Sequence, residues 1–137
     1  MKIYAASSWK NKHQPRVVEA LRTDGHEVYD FRTAAAFSWC QIDKNWRDWS
    51  VADYMEHLWH PRSTEGFRSD FDGVKQCQGA VLILPCGLSA GIEAGYIHGS
   101  GKPVVVYVPE IREAELMVRI FDYISGDLEK VRAFFKK

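Results

Sequence analysis

The sequence predicts an α/β protein: a doubly wound (Rossmann- or flavodoxin-like) parallel sheet of four to five strands, with helices on both faces and an aromatic-rich helical insertion. Three observations predict it. Residues 2–31 read strand, helix, strand, the unit that makes parallel sheet through a right-handed crossover. Two short apolar runs, Ala80–Leu84 and Val104–Val108, have the length and composition of strands covered on both faces. Around them lie segments whose apolar residues recur at helical spacing, so strands and helices alternate along the chain.

Lys2–Ala6 is a short, mostly apolar strand that runs into the polar turn Ser7-Ser8-Trp9-Lys10-Asn11. Pro15 suits a first helical turn, and Val17, Val18 and Leu21 supply one apolar face. Asp24-Gly25 stops that helix, and His26–Phe31 forms the second strand. The rhythm then breaks over about 34–64, where Trp39, Trp46 and Trp49 are mixed with charged residues. Ser50 caps a helix running to about Trp59, with Pro61 as its stop. Glu65–Cys77 is predicted helical, with Phe67, Phe71 and Val74 on a buried face.

Gly79 and Pro85 bound the most hydrophobic run, Ala80–Leu84, which reads as the central strand. Cys86-Gly87-Leu88 is a turn, and Ser89 to about Ser100 is a helix rich in small residues. Gly101-Lys102-Pro103 leads into the strand Val104–Val108. Glu113 to about Tyr123 is predicted helical. A last amphipathic helix follows Ser125-Gly126-Asp127, carrying Leu128, Val131, Phe134 and Phe135. Its acidic first turn, Asp127 and Glu129, and its basic end, Lys136 and Lys137, complement the helix dipole.

At 137 residues the chain has the length of one domain, and 1–137 is read as such, with the insertion inside it. It is long enough to bury roughly two-thirds of its unfolded surface, without disulfides or metal. Eighteen basic residues balance eighteen acidic ones, so no net field favours nucleic acid or anionic membrane as partner. No apolar run reaches the ~18 residues that span a bilayer. Cys40, Cys77 and Cys86 are odd in number and far apart, which fits reduced thiols and a cytoplasmic location.

Ligands of open α/β sheets bind beyond the carboxyl ends of the strands, near the switch in strand order. Two loops there have suitable chemistry. Ser7, Ser8, Trp9 and Lys10 offer hydroxyls, a cation and backbone N–H groups at a helix entrance, as an anion or sugar-hydroxyl site or as an ordinary polar turn. In the second loop a buried strand ends at Gly87, and Ser89, Ala90 and Gly91 leave space for a ligand against the backbone. Glu93 lies about one turn inside that helix, where the dipole favours its ionised form. Such a carboxylate can act as nucleophile, base or hydroxyl clamp; it can equally be a solvent-exposed helix residue. A second carboxyl, as chemistry at a glycosidic carbon typically uses, is available at Asp70 or Asp72.

Residues 2–9 (KIYAASSW), 70–85 (DFDGVKQCQGAVLILP) and 89–107 (SAGIEAGYIHGSGKPVVVY) resemble the nucleoside 2-deoxyribosyltransferase family, which includes the 2′-deoxynucleoside 5′-phosphate N-hydrolases. The similarity covers roughly 2–31 and 68–137. It implies that Glu93 is the nucleophile at the anomeric carbon and that Tyr4 hydrogen-bonds and tunes it. It implies that Asp70 holds the sugar or passes a proton to the leaving base. Ser8 and Lys10 fall where the family's first loop meets the sugar or a 5′-phosphate, and Ser89 and Gly91 line the turn above the sugar. Gly87 departs from the pattern: the phosphohydrolases place serine there and the transferases aspartate.

The segment around Trp39, Trp46, Trp49 and His57 has no counterpart in that pattern. Its aromatics either stack on a base, with His57 as a polar contact, or complete the core or a dimer interface. The expected activity is therefore N-glycosidic cleavage or deoxyribosyl transfer on a nucleoside or nucleotide, without cofactor or metal, in a homodimer or larger assembly. The alternatives are a non-catalytic nucleotide-binding or signalling module on this fold, and an NAD or nucleotide glycohydrolase.

Overall fold

The computed structural model describes residues 1–136; Lys137, expected to help close the last helix, lies outside the described residues. Five strands form one sheet: β1 Lys2–Ala6, β2 Glu27–Asp30, β3 Gly79–Ile83, β4 Val104–Tyr107 and β5 Tyr123–Ser125. All neighbours pair in parallel in the order β2-β1-β3-β4-β5. The order reverses between β1 and β3, the switch point beyond whose carboxyl ends open α/β sheets generally bind ligands.

Side-chain alternation along the strands creates two cores. On one face Ile3, Ala5, Val81, Ile83 and Val105 meet helix α1 (Gln14–Thr23) and α5 (Leu128–Phe135) through Val17, Leu21, Val131 and Phe135. On the other face Tyr4, Ala6, Ala80, Leu82, Val104 and Val106 meet α3 (Pro61–Gln76) and α4 (Leu88–Gly99) through Val74, Ala90, Ala94 and Ile97. This parity is what sends Tyr4 toward the helix that carries Glu93. Asp24 and Arg132 pair at 2.6 Å, tying α5 to the end of α1.

The insertion holds two 3-10 turns, Trp39–Gln41 and Trp46–Asp48, followed by α2 (Val51–His57). Ser50 caps α2 as expected, and the reciprocal bond from the Ser50 amide to Asp53 completes a capping box. Pro61, read as a stop, in fact begins α3, because its missing N–H costs nothing in a first turn.

Two expectations are overturned. Glu113–Tyr123 is not an α-helix: Met117–Ile120 forms a single 3-10 turn, and Tyr123–Ser125 joins the sheet as β5. The open edge of β4 takes up the backbone groups of this β-branched and aromatic run, with Tyr123 in register with Val105. Of that run Val118 and Phe121 pack against one core and Tyr123 against the other. On α3, Val74 is buried, but Phe67 remains 63% exposed. Helical spacing placed Phe67 and Val74 on one face, whereas the sheet beneath reaches only the C-terminal half of this helix.

Candidate active site

Tyr4 enters from the middle of β1, wholly buried, and its hydroxyl donates to Oε2 of Glu93 in the second turn of α4. Its register partner on β2 is Tyr29, and the two rings stack at 5.1 Å with an 8° interplanar angle. The Tyr29 hydroxyl donates to Oδ1 of Asp70 on α3 at 2.8 Å and lies 2.8 Å from Oγ of Ser69. Two carboxyls from two helices thus converge on two phenols from adjacent strands. Asp72, the other candidate for second carboxyl, is exposed and pairs with Lys75 at 3.5 Å.

Burial dominates the electrostatics. It pushes the Glu93 carboxyl up to about 7; the bond from Tyr4 pulls it down and the charge of Asp70 pushes it further up. The helix position and the Tyr4 bond were expected to favour the ionised form of Glu93; they do not offset desolvation, and the group titrates near neutrality. Burial also raises the Asp70 carboxyl, against the lowering effect of the Tyr29 bond. Both phenols are driven above their ordinary range, Tyr4 by burial and then by Glu93, Tyr29 chiefly by burial. They act as hydrogen-bond donors and stay protonated.

The first loop is knitted to the end of β3. Ser7 is buried and its hydroxyl donates to the Ile83 carbonyl at 3.0 Å. Asn11 donates to the Ile83 and Pro85 carbonyls at 3.1 and 2.9 Å, while its oxygen accepts from the amides of His13 and Gln14. Arg32 donates to the carbonyls of Ser8, Trp9 and Asn11 at 3.0, 2.7 and 2.6 Å. Lys10 is exposed, and Trp9, 48% exposed, donates from its indole to the Phe37 carbonyl at 3.1 Å. Gly87 and Ser89 are exposed and Gly91 half-buried; a Cβ added at Gly87 or Gly91 would meet open space.

In the insertion, Trp49 stacks on His57 at 4.4 Å and donates to Asp43 at 2.9 Å, while His57 Nδ1 lies 2.7 Å from the Asp53 carbonyl. Trp39 sets its edge against Phe37 and Trp49, and the Arg47 guanidinium lies 4.2 Å above Trp46. Phe37 seats this cluster on α3 at Gly66, where a Cβ would stand 2.7 Å from the Phe37 Cβ. No group of three or more His, Cys, Asp or Glu side chains among the described residues could hold a metal ion. Nor is any helix among them long and apolar enough to cross a membrane. A hollow of about 520 Å³ over α1 and the edge strand, lined by Pro15, Val18 and Asp30, contains neither Glu93 nor Asp70.

Tyr29, Ser69 and Arg32 were not singled out by the sequence, and Asn11 only as the end of the first polar loop. The available signal for Tyr29 was its place in HEVYDF, on the strand that pairs with the one bearing Tyr4.

Fold and site together define a parallel α/β protein with a phenol-held carboxylate pair between its sheet and the helices α3 and α4. In fold the chain is similar to a 2-deoxyribosyltransferase from the psychrotolerant bacterium Bacillus psychrosaccharolyticus, with a TM-score of 0.66 and 23% identity over 96% of this chain and 90% of that one. It is similar also to the CMP N-glycosidase of Clostridium botulinum, with a TM-score of 0.56 and 14% identity over 100% of both chains. No protein-family model matches the sequence, and no curated protein matches it. The fold expected from the sequence is the fold that these two likenesses share.

Proposed function

We propose that this protein cleaves or transfers the N-glycosidic bond of a nucleoside or nucleotide-like substrate, with Glu93 as nucleophile. The observation that carries the reading is the Tyr4–Glu93 hydrogen bond between β1 and α4, with Asp70 joined to it through the stacked Tyr29. An intact cluster of this kind supports catalysis over a binding-only module, for which scattered side chains would serve. The fold likeness to a transferase and a glycosidase supports the same class of reaction.

In this reading the ionised Glu93 attacks the anomeric carbon as the bond to the base nitrogen breaks. The departing base takes up a proton, and a glycosyl ester forms on Glu93. Water or a second base then attacks the same carbon and frees Glu93, so hydrolysis and transfer share one intermediate. Tyr4 steadies the carboxylate before attack. Asp70 holds a sugar hydroxyl or supplies the proton taken by the base. The loop Ser7–Lys10, with Gly87, Ser89 and Gly91, surrounds the sugar and its 5′ group, and Trp46, Trp49 and His57 flank the base. A neighbouring copy of the chain completes the site: Leu88, Ile92 and Tyr96 on α4 and Phe67 on α3 are all exposed on the helices that carry Glu93 and Asp70.

The test is a panel of nucleosides and nucleotides assayed for free base. Glu93→Gln keeps the shape and removes the nucleophile, so turnover should fall by several orders of magnitude with ligand binding retained. A 2-fluoro sugar analogue should add one glycosyl mass to the wild type and none to the variant. Near wild-type cleavage by Glu93→Gln would refute the mechanism.

A further inference from the structure

The two stacked phenols hold different carboxyls. Tyr4 gives its proton to Glu93, and Tyr29 gives its own to Oδ1 of Asp70. We infer that Tyr29 is the positioning residue for Asp70: backed by Ser69, it fixes one carboxyl oxygen and leaves the other to face the substrate. The inference rests on the reading of Asp70 as the second carboxyl of the reaction.

Three features carry it. The Tyr29 ring is confined: Tyr4 covers one face, and the α3 backbone comes so close that a Cβ at Gly73 would stand 2.8 Å from Cδ2. A phenol has one proton to give. Donated to the carboxylate, it leaves the Tyr29 oxygen to accept from the Ser69 hydroxyl, so the chain Ser69 to Tyr29 to Asp70 is satisfied in one direction. That bond is also the sole hydrogen bond to the Asp70 carboxyl among the described residues, so no other hydrogen bond orients it. Because Tyr4 and Tyr29 are register partners, the spacing of the two carboxyls is set by two adjacent strands as well as by the packing of α3 on α4. The titratable groups facing Asp70 from other elements are Tyr29 on β2, Tyr4 on β1 and Glu93 on α4.

Tyr29→Phe keeps the stack and removes the hydroxyl. Followed by side-chain carboxyl NMR in substrate-free protein, Asp70 should titrate at higher pH in the variant, its proton affinity raised about tenfold. Ser69→Ala, which leaves both rings untouched, should move it the same way by less. With an active substrate, Tyr29→Phe should lower kcat/KM by roughly 10- to 100-fold, mainly in kcat, and by less than about twofold in an Asp70→Asn background. An unmoved Asp70 titration in Tyr29→Phe, or full additivity with Asp70→Asn, overturns the inference. Wild-type protein that releases no base overturns the glycosidase reading instead, since the titration needs no substrate.

Discussion

Removing the Tyr4 hydroxyl tests the electrostatics of the site directly. Tyr4→Phe keeps a ring that is wholly buried against Tyr29 and deletes only the bond to Glu93. Burial holds the Glu93 carboxyl at about 7 with that bond in place, and the bond acts to lower it. A hydrogen bond to a charged group is worth about 1.5–3 kcal/mol, and 1.36 kcal/mol corresponds to a tenfold change in proton affinity. Without the phenol the carboxyl's proton affinity should therefore rise roughly 10- to 100-fold. The nucleophile works as the anion, so the acid limb of the kcat/KM profile, near 7 in the wild type, should move up with it. At pH 7 about half of the wild-type Glu93 is ionised, against roughly 1–10% in the variant, a loss of about 5- to 50-fold. Most of that loss should vanish by about pH 10, well above the displaced limb. The assay is initial-rate release of base from pH 5 to about 10.5, with circular dichroism confirming the fold. A loss that is the same at every pH, or an acid limb that stays in place, would refute the reasoning: Tyr4 would then matter for shape and not for charge.

The same burial predicts a cost in stability. The Glu93 carboxyl is raised from 4.5 when unfolded to about 7 when folded, so its protonated form favours the fold below about pH 4.5, and that advantage is lost as pH rises to about 7. Glu93→Gln should therefore raise the free energy of unfolding at pH 8 by on the order of 1–3 kcal/mol, seen as a higher Tm, and leave Tm nearly unchanged at pH 4. Equal Tm differences at both pH values would contradict this. Trp49→Ala should raise KM by about tenfold or more with kcat little altered, and unchanged kinetics would assign the segment to structure alone. Light scattering at micromolar concentration should give at least twice the chain mass, and Ile92→Glu on the exposed face of α4 should lower it toward one chain; a monomeric wild type would remove the neighbouring copy from the site.

Local pattern carried most of the fold. Five-residue apolar runs have few conformations that bury them, and β3 and β4 fall within one residue of the spans read for them. Alternation along KIYAA is enough to set Tyr4 and Ala6 on one face and Ile3 and Ala5 on the other. The Ser50 cap is legible because its own amide partner lies three residues on, while the reciprocal bond to Asp53 was added by the structure. Glu93 and Tyr4 could be paired in advance only through the family resemblance, since they are 89 positions apart.

What tertiary structure decided depends on neighbours that no window of sequence contains. Residues 113–123 have helical spacing, but an unfilled edge on β4 drew their end into the sheet, because backbone groups beside an open edge gain partners there. Tyr29 becomes part of the site only because β2 lies in register beside β1 and α3 passes over it at Gly73. The protonation of Glu93 follows the same rule. Its place early in a helix argued for the anion, while the surrounding β1, α3 and α4 remove water from it and carry it to about 7. Desolvation is a property of everything packed around a group, and the order of residues along one strand or helix does not contain it.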